Sequence, residues 1–284
     1  MAAQDWFVSV NGLTLHYLDW GTVGKPPMLL LHGLRGHAHV WDDVAAAFCG
    51  DHRVLALDQR GRGESAWAPD GQYTIEAYVS DLAAVVDTLR LPPVVLVGHS
   101  MGGRNGMLFA ARHSERLRAL VVVDIGPDID ARGTGRMTAE FRETPEEFDA
   151  FETLVAASRL ANPRAPEAVL RRRLRYQTRP LPDGKVGWRY DKVIRDQWKG
   201  ETRPAPPDLW PAVSQITCPT LLVRGAQTDI FPIEVAKRML DLIPGSRLAE
   251  IAHAGHMTFE ENAADSIAAI RDFLATVPPT PSPS

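Results

Sequence analysis

Four short stretches, Met28 to Leu31, Val54 to Leu57, Val94 to Val97 and Leu120 to Val123, are continuously apolar, as strands buried on both faces of a parallel sheet must be. Between the second and third, Ile75, Tyr78, Val79, Leu82, Val85, Val86 and Leu89 recur at helical spacing and predict a crossover helix. Residues 8–18 alternate less regularly and are expected to form an antiparallel hairpin. The strand–helix rhythm stops after Ile125-Gly126-Pro127 and resumes near Ile216, with strands expected at Thr220 to Gly225 and Arg247 to Ile251 and then an apolar C-terminal helix. The stretch between has its own signals. Thr144-Pro145-Glu146-Glu147 reads as a capping box with proline at the first helical position, Leu170 and Leu174 suggest another helix, and Pro182-Asp183-Gly184 is a turn.

The third apolar stretch runs into Gly98-His99-Ser100-Met101-Gly102, followed by a helix-like segment. A serine placed where a strand turns sharply into a helix is a nucleophile elbow: the turn strains the serine backbone, and side chains at the two flanking glycines would collide with neighbouring backbone. A serine hydroxyl needs a base to take its proton and a third group to orient that base. Asp229 follows the strand Thr220 to Gly225, and His256 lies in the loop Ala252-His253-Ala254-Gly255-His256-Met257 after the last strand, giving the chain order Ser, Asp, His.

With these residues the chain resembles the α/β-hydrolase superfamily over nearly its whole length. Leu31-His32-Gly33-Leu34 resembles that family's His-Gly oxyanion loop, Asp58-Gln59-Arg60-Gly61-Arg62-Gly63-Glu64-Ser65 its D-x-R-G-x-G-x-S loop, and Gly255-His256 its G-H loop. The resemblance implies a mostly parallel twisted sheet flanked by helices, with a helical lid after the sixth strand. The expected division is a core in two parts, residues 1–127 and 211–276, a lid at 128–210 and a disordered tail at 277–284. It further implies Ser100 as nucleophile, His256 as base and Asp229 as orienting acid, with the backbone N–H groups of Leu34 and Met101 as the oxyanion hole. Asp124, at the end of the sixth strand, is the rival acid, because that position reaches the histidine in some branches. His253 is the rival base, and His99 is expected to pack beneath the elbow. The Asp58-Arg60-Arg62 loop is expected to brace the site rather than to react.

A serine at position 100 excludes the branches whose intermediate is an alkyl ester on a carboxylate. Ester, thioester, lactone and amide hydrolysis remain, together with hydrolytic C–C cleavage. The Gly103-Arg104-Asn105 sequence resembles hydrolases that open small carboxylated substrates, such as enol-lactones and acetamidomethylene-succinate. Arg104, at a buried helix position, needs a partner, and is expected as a structural ion pair with a loop carboxylate or else as a pocket group for an anionic substrate; Trp188 and Tyr190 are further candidate substrate contacts, and Trp198 and the lid arginines Arg171, Arg172, Arg173 and Arg175 are further options, the latter otherwise forming a solvated helix face. A lyase, an oxygenase or a receptor-like member of the fold is the remaining alternative.

The chain has 284 residues, 45% of them hydrophobic, enough to bury a large core. A net charge of -4 without blocks of like charge speaks against nucleic acid, and no apolar run approaches a bilayer span, so a cytoplasmic enzyme with a small-molecule substrate is expected. Cys49 and Cys218 are expected as free thiols. His37 and His39 have H-x-H spacing but no further ligands nearby, so neither a metal nor a cofactor is expected.

Overall fold

A computed structural model of the chain describes residues 2–199 and 207–278. The expected hairpin is present as β1 (Gln4–Val10) and β2 (Leu13–Asp19). Asn11 and Gly12 close it at φ 50° and 75°, the conformation that an Asn-Gly pair adopts in a two-residue turn. The apolar stretches form β3 (Pro27–Leu31), β4 (Arg53–Leu57), β5 (Val94–His99) and β6 (Leu117–Val123). Helices α1 (Asp42–Phe48), α2 (Ile75–Thr88) and α3 (Met101–Arg112) lie between them.

After β6 the chain makes α4 (Ala131–Glu143), β7 (Glu147–Phe148), α5 (Phe151–Ala161), α6 (Glu167–Gln177), β8 (Thr178–Pro180), β9 (Val186–Trp188) and α7 (Lys192–Lys199). It then returns through α8 (Trp210–Val213) to β10 (Thr220–Gly225), α9 (Ile233–Leu242), β11 (Arg247–Ile251), α10 (Thr258–Glu261) and α11 (Ala263–Leu274). The capping box expected at Thr144 does not start a helix. Thr144 instead ends α4, and Glu147 and Phe148 pair with β9 in a small sheet ordered β7-β9-β8. There Phe148 is buried with Leu154, Leu170 and Leu174, and burial of that ring outweighs the local helix signal.

The main sheet has the order β1-β2-β4-β3-β5-β6-β10-β11, and only β1 and β2 run antiparallel to their neighbours. Residues alternate between two apolar layers: Leu29, Leu31, Leu55, Leu57 and Leu96 face one, and Met28, Leu30, Val54, Ala56, Val95 and Val97 the other. Burial on both faces is why these strands read as unbroken apolar runs. The strand order reverses between β3 and β5, so the loops after their C-terminal ends part there and leave a crevice, the position where such sheets bind ligands. Val277 is buried against the second layer, which moves the start of the expected tail beyond it, and residues 279–284 lie outside the described residues. Cys49 and Cys218 are free.

Candidate active site

Ser100 stands between β5 and α3 with φ 53° and ψ -118°, a conformation that L-residues rarely adopt and that costs about 1–3 kcal/mol. The flanking glycines allow it. A Cβ on Gly98 would come within 2.4 Å of the Gly102 carbonyl oxygen, and one on Gly102 within 2.4 Å of the Leu31 carbonyl oxygen. A Cβ on Gly33 would meet the His99 ring at 2.9 Å and the Ser100 Cβ at 3.2 Å, so the loop after β3 closes directly over the elbow. The N–H of Met101 is in the first turn of α3, where no helical carbonyl lies behind it to accept from it.

Three polar residues lock the β3 loop to the elbow helix. The Nδ1–H of His32 donates to the Gly33 carbonyl (2.7 Å), and its Nε2 accepts from the Gln59 amide (3.0 Å). Burial pulls the His32 pKa down to about 4, which keeps the ring neutral and in that tautomer. The Gln59 side chain donates to the His32 carbonyl (2.7 Å) and accepts from Asn105 on α3 (2.7 Å). Asn105, unusual at a helix position generally filled by small residues, is thus the far end of a brace between α3 and the loop after β3. The Asp58 loop is a support as expected: its carboxylate accepts from the amides of Ala38 (2.6 Å) and Glu64 (3.0 Å) and from His16 (2.7 Å). Arg62 donates to the Leu34 carbonyl at 3.0 Å.

His256, in the loop between β11 and α10, has its Nδ1 at 2.9 Å from Oδ2 of Asp124. A carboxylate can only accept there, so Nδ1 carries the proton and Nε2 keeps its lone pair. The expectation that Asp229 orients this ring is corrected by the geometry. Asp124, at the end of β6 with φ 51° and no solvent exposure, also accepts from the Gly225 amide (2.8 Å) and the Thr228 hydroxyl (2.5 Å). Asp229 is engaged elsewhere: Nε and Nη2 of Arg136, on α4, grip its two oxygens at 2.6 and 2.8 Å. That pairing holds the Asp229 carboxyl below the usual carboxylate range. Arg136 went unnoticed in the sequence because its partner lies 93 positions away.

His99 packs beneath the elbow as expected, its Nε2–H donating to the His256 carbonyl at 2.9 Å; burial pushes its pKa well down. His253 is an exposed loop residue at φ 59°.

Ser100 and His256 open into a cavity of about 750 Å³, whose wall includes Leu34, Met137, Phe141, Leu154, Trp188 and Met257. Of the candidate substrate contacts, Trp188 and Arg173 lie on that wall. Tyr190 is buried behind it with Phe141 and Ile194. Arg104 is turned away and donates to the carbonyls of Gly126 (3.0 Å), Pro127 (2.7 Å) and Pro207 (3.0 Å), which stitches α3 to both ends of the segment inserted between β6 and β10. Arg171 pairs with Glu152 and Glu167 on the insert's surface, Arg172 with Asp43, and Arg175 is exposed. Trp198 stacks on Phe141. Arg173 does reach the wall, where it pairs with buried Glu260 at 2.6 Å. Burial pushes the Glu260 carboxyl upward, against the pull of that guanidinium. No three His, Cys, Asp or Glu side chains among the described residues converge as metal ligands. His37 instead donates to the Arg173 carbonyl (2.9 Å), and His39 stacks on Tyr176 at 3.6 Å.

A parallel sheet with this reversal of order, a strained serine at the switch point and a histidine bonded to a buried carboxylate define a hydrolase-type scaffold, and residues 26–263 match the family model of the alpha/beta hydrolase fold. The chain belongs to that family. It is 32% identical over 280 residues to the 3-hydroxybutyrate-oligomer hydrolase of Cupriavidus necator, covering 92% of this chain and 94% of that protein. It is 25% identical to the 2-(acetamidomethylene)succinate hydrolase of Mesorhizobium japonicum, over 96% of this chain and 97% of the relative. Among solved structures, an alpha/beta hydrolase from Novosphingobium aromaticivorans superposes with a TM-score of 0.85 at 29% identity, over 97% of this chain and 99% of that one.

Proposed function

We propose that the protein is a metal-independent serine hydrolase that cleaves a carboxylic ester, a lactone or a related small acyl substrate. The observation that carries this reading is the bond between His256 and Asp124 at the cavity that also receives Ser100. With Nδ1 held by Asp124, the Nε2 lone pair of His256 takes the proton as Ser100 Oγ attacks the carbonyl carbon. The tetrahedral oxyanion accepts from the amides of Met101 and Leu34, each donor contributing about 2.7–4 kcal/mol to the transition state. Collapse expels the alkoxide, which takes its proton from His256, and water repeats the sequence in reverse to release the acid. The insert acts as the lid whose residues shape the acyl pocket. The oligomer hydrolase named above supports ester cleavage.

The test is labelling by an alkyl fluorophosphonate together with turnover of p-nitrophenyl esters and lactones. Wild type labels and turns over, Ser100→Ala and His256→Ala lose both, and EDTA has no effect. Turnover that survives in Ser100→Ala, or that a chelator abolishes and zinc restores, would sink the proposal.

A further inference from the structure

Asp229 stands where the sequence order places a catalytic acid, yet it lies on the cavity wall gripped by Arg136, and that arrangement has its own chemical meaning. Arg136 offers Nε and Nη2 side by side, the fork that binds a carboxylate through two parallel hydrogen bonds. Asp229 fills that fork at 2.6 and 2.8 Å, while Nη1 is taken by Glu140 at 2.7 Å. Glu140 in turn pairs with Arg35, also on the wall. The other two guanidinium groups on the wall are matched as well, Arg164 by Glu261 at 2.6 Å and Arg173 by Glu260 at 2.6 Å. Among the described residues every arginine of the cavity therefore meets a carboxylate of the protein, and Glu143 adds a further acidic group to the wall. The contact is built into the backbone: a Cβ on Gly133 would lie 2.3 Å from the Asp229 carbonyl oxygen, so α4 can approach closely enough for Arg136 to reach only because residue 133 is glycine.

We infer that Asp229 is a specificity determinant that closes this cavity to acyl groups carrying a carboxylate. The inference rests on the proposed ester cleavage and adds the charge of the substrate to it. A substrate carboxylate would have to displace Asp229 from Arg136 and leave that side chain unpaired beside the incoming anion. A neutral acyl chain meets the apolar wall without disturbing the pair. Removal of Asp229 frees two donors of Arg136 while Glu140 still holds the third, which leaves a ready carboxylate site in the wall.

The experiment compares kcat/KM for p-nitrophenyl butyrate and for the p-nitrophenyl monoester of succinic acid, which differ by a terminal carboxylate. Wild type favours the butyrate at least tenfold. Asp229→Ala moves the ratio toward the carboxylated ester by tenfold or more, Asp229→Asn moves it less in the same direction, and adding Arg136→Ala to Asp229→Ala cancels the gain. The second-order rates at which neutral and ω-carboxylated alkyl fluorophosphonates label Ser100 give the same ratio without requiring turnover, and melting temperatures confirm that the variants fold. A wild-type preference for the carboxylated ester, or an Asp229→Ala ratio within twofold of wild type, overturns the inference. Loss of both activities in Asp229→Ala at an unchanged ratio also overturns it and returns Asp229 to an orienting role. Failure of wild type to turn over either ester or to label at Ser100 overturns the ester reading itself, and this inference with it.

Discussion

Two carboxylates come near His256, and single-residue chemistry separates their roles. Asp124 is fully buried and its oxygens are shared by the Gly225 amide, the Thr228 hydroxyl and His256. Asp124→Asn should lower kcat by about 10⁴, because an amide that donates to Nδ1 selects the wrong tautomer. Asp229→Asn should cost well under a hundredfold with p-nitrophenyl butyrate, since Asp124 remains in place. Steady-state kinetics of the two variants checks this, and a larger loss at Asp229 would reverse the assignment. A second residue-scale expectation concerns Asn105, whose amide ties α3 to Gln59 and through it to the His32 carbonyl. Asn105→Ala should reduce kcat by about tenfold or more with little change in KM, because a displaced Leu34 amide weakens a contact formed mainly in the transition state. The elbow, the histidine loop and the tight loop after β3 were legible in the sequence because their glycines answer to neighbours a few positions away or to steric rules. The Gln59–Asn105 brace was not, since its members lie 46 positions apart.

Among the elements, those of the insert are fastened to the core in part by arginines reaching down to core acids: Arg136 to Asp229, Arg164 to Glu261, Arg172 to Asp43, Arg173 to Glu260 and Arg189 to Glu64. Most of these pairs are partly exposed, where each contributes only about 0.2–1 kcal/mol and is weakened by salt. Raising sodium chloride from 0.1 to 1 M, which shortens the screening length from about 10 to 3 Å, should therefore speed limited proteolysis within residues 131–199 while the main sheet stays protected. Cleavage sites read by mass spectrometry decide it, and salt-independent cleavage would show that apolar contacts hold the insert down. Core elements were readable from periodicity because strands buried on both faces leave an unambiguous apolar run. The insert was less so: the pattern at Thr144 to Glu147 satisfies a helix start, but a two-residue strand sits there because Phe148 finds its burial against α5 and α6.

At the scale of the whole molecule, burial of neutral histidines ties folding to pH. Burial pulls the pKa of His32 down to about 4 and that of His37 to about 3, against an ordinary value of 6.5. Both folded-state values lie below the unfolded one, so their stability is fully present above pH 6.5 and is lost as pH falls toward 4 and 3, at up to about 1.4 kcal/mol per pH unit for each ring. His16 has the opposite sign: burial is the largest influence on it, but Asp58 and Asp5 together raise its pKa, and its contribution is lost on the alkaline side. Urea midpoints should therefore drop between pH 6 and 4.5, and His37→Gln should flatten that slope; an unchanged slope in the variant would show that the buried ring is not the cause. By itself the sequence determined the sheet, the serine at its switch point and the histidine beyond the last strand, because hydrophobic period, glycine sterics and chain order are local properties. Only the tertiary structure decided which aspartate holds that histidine. Asp124 and Asp229 both follow parallel strands ending at the same edge, and the choice between them fell to Arg136, which α4 brings back to the edge of the sheet to claim the second.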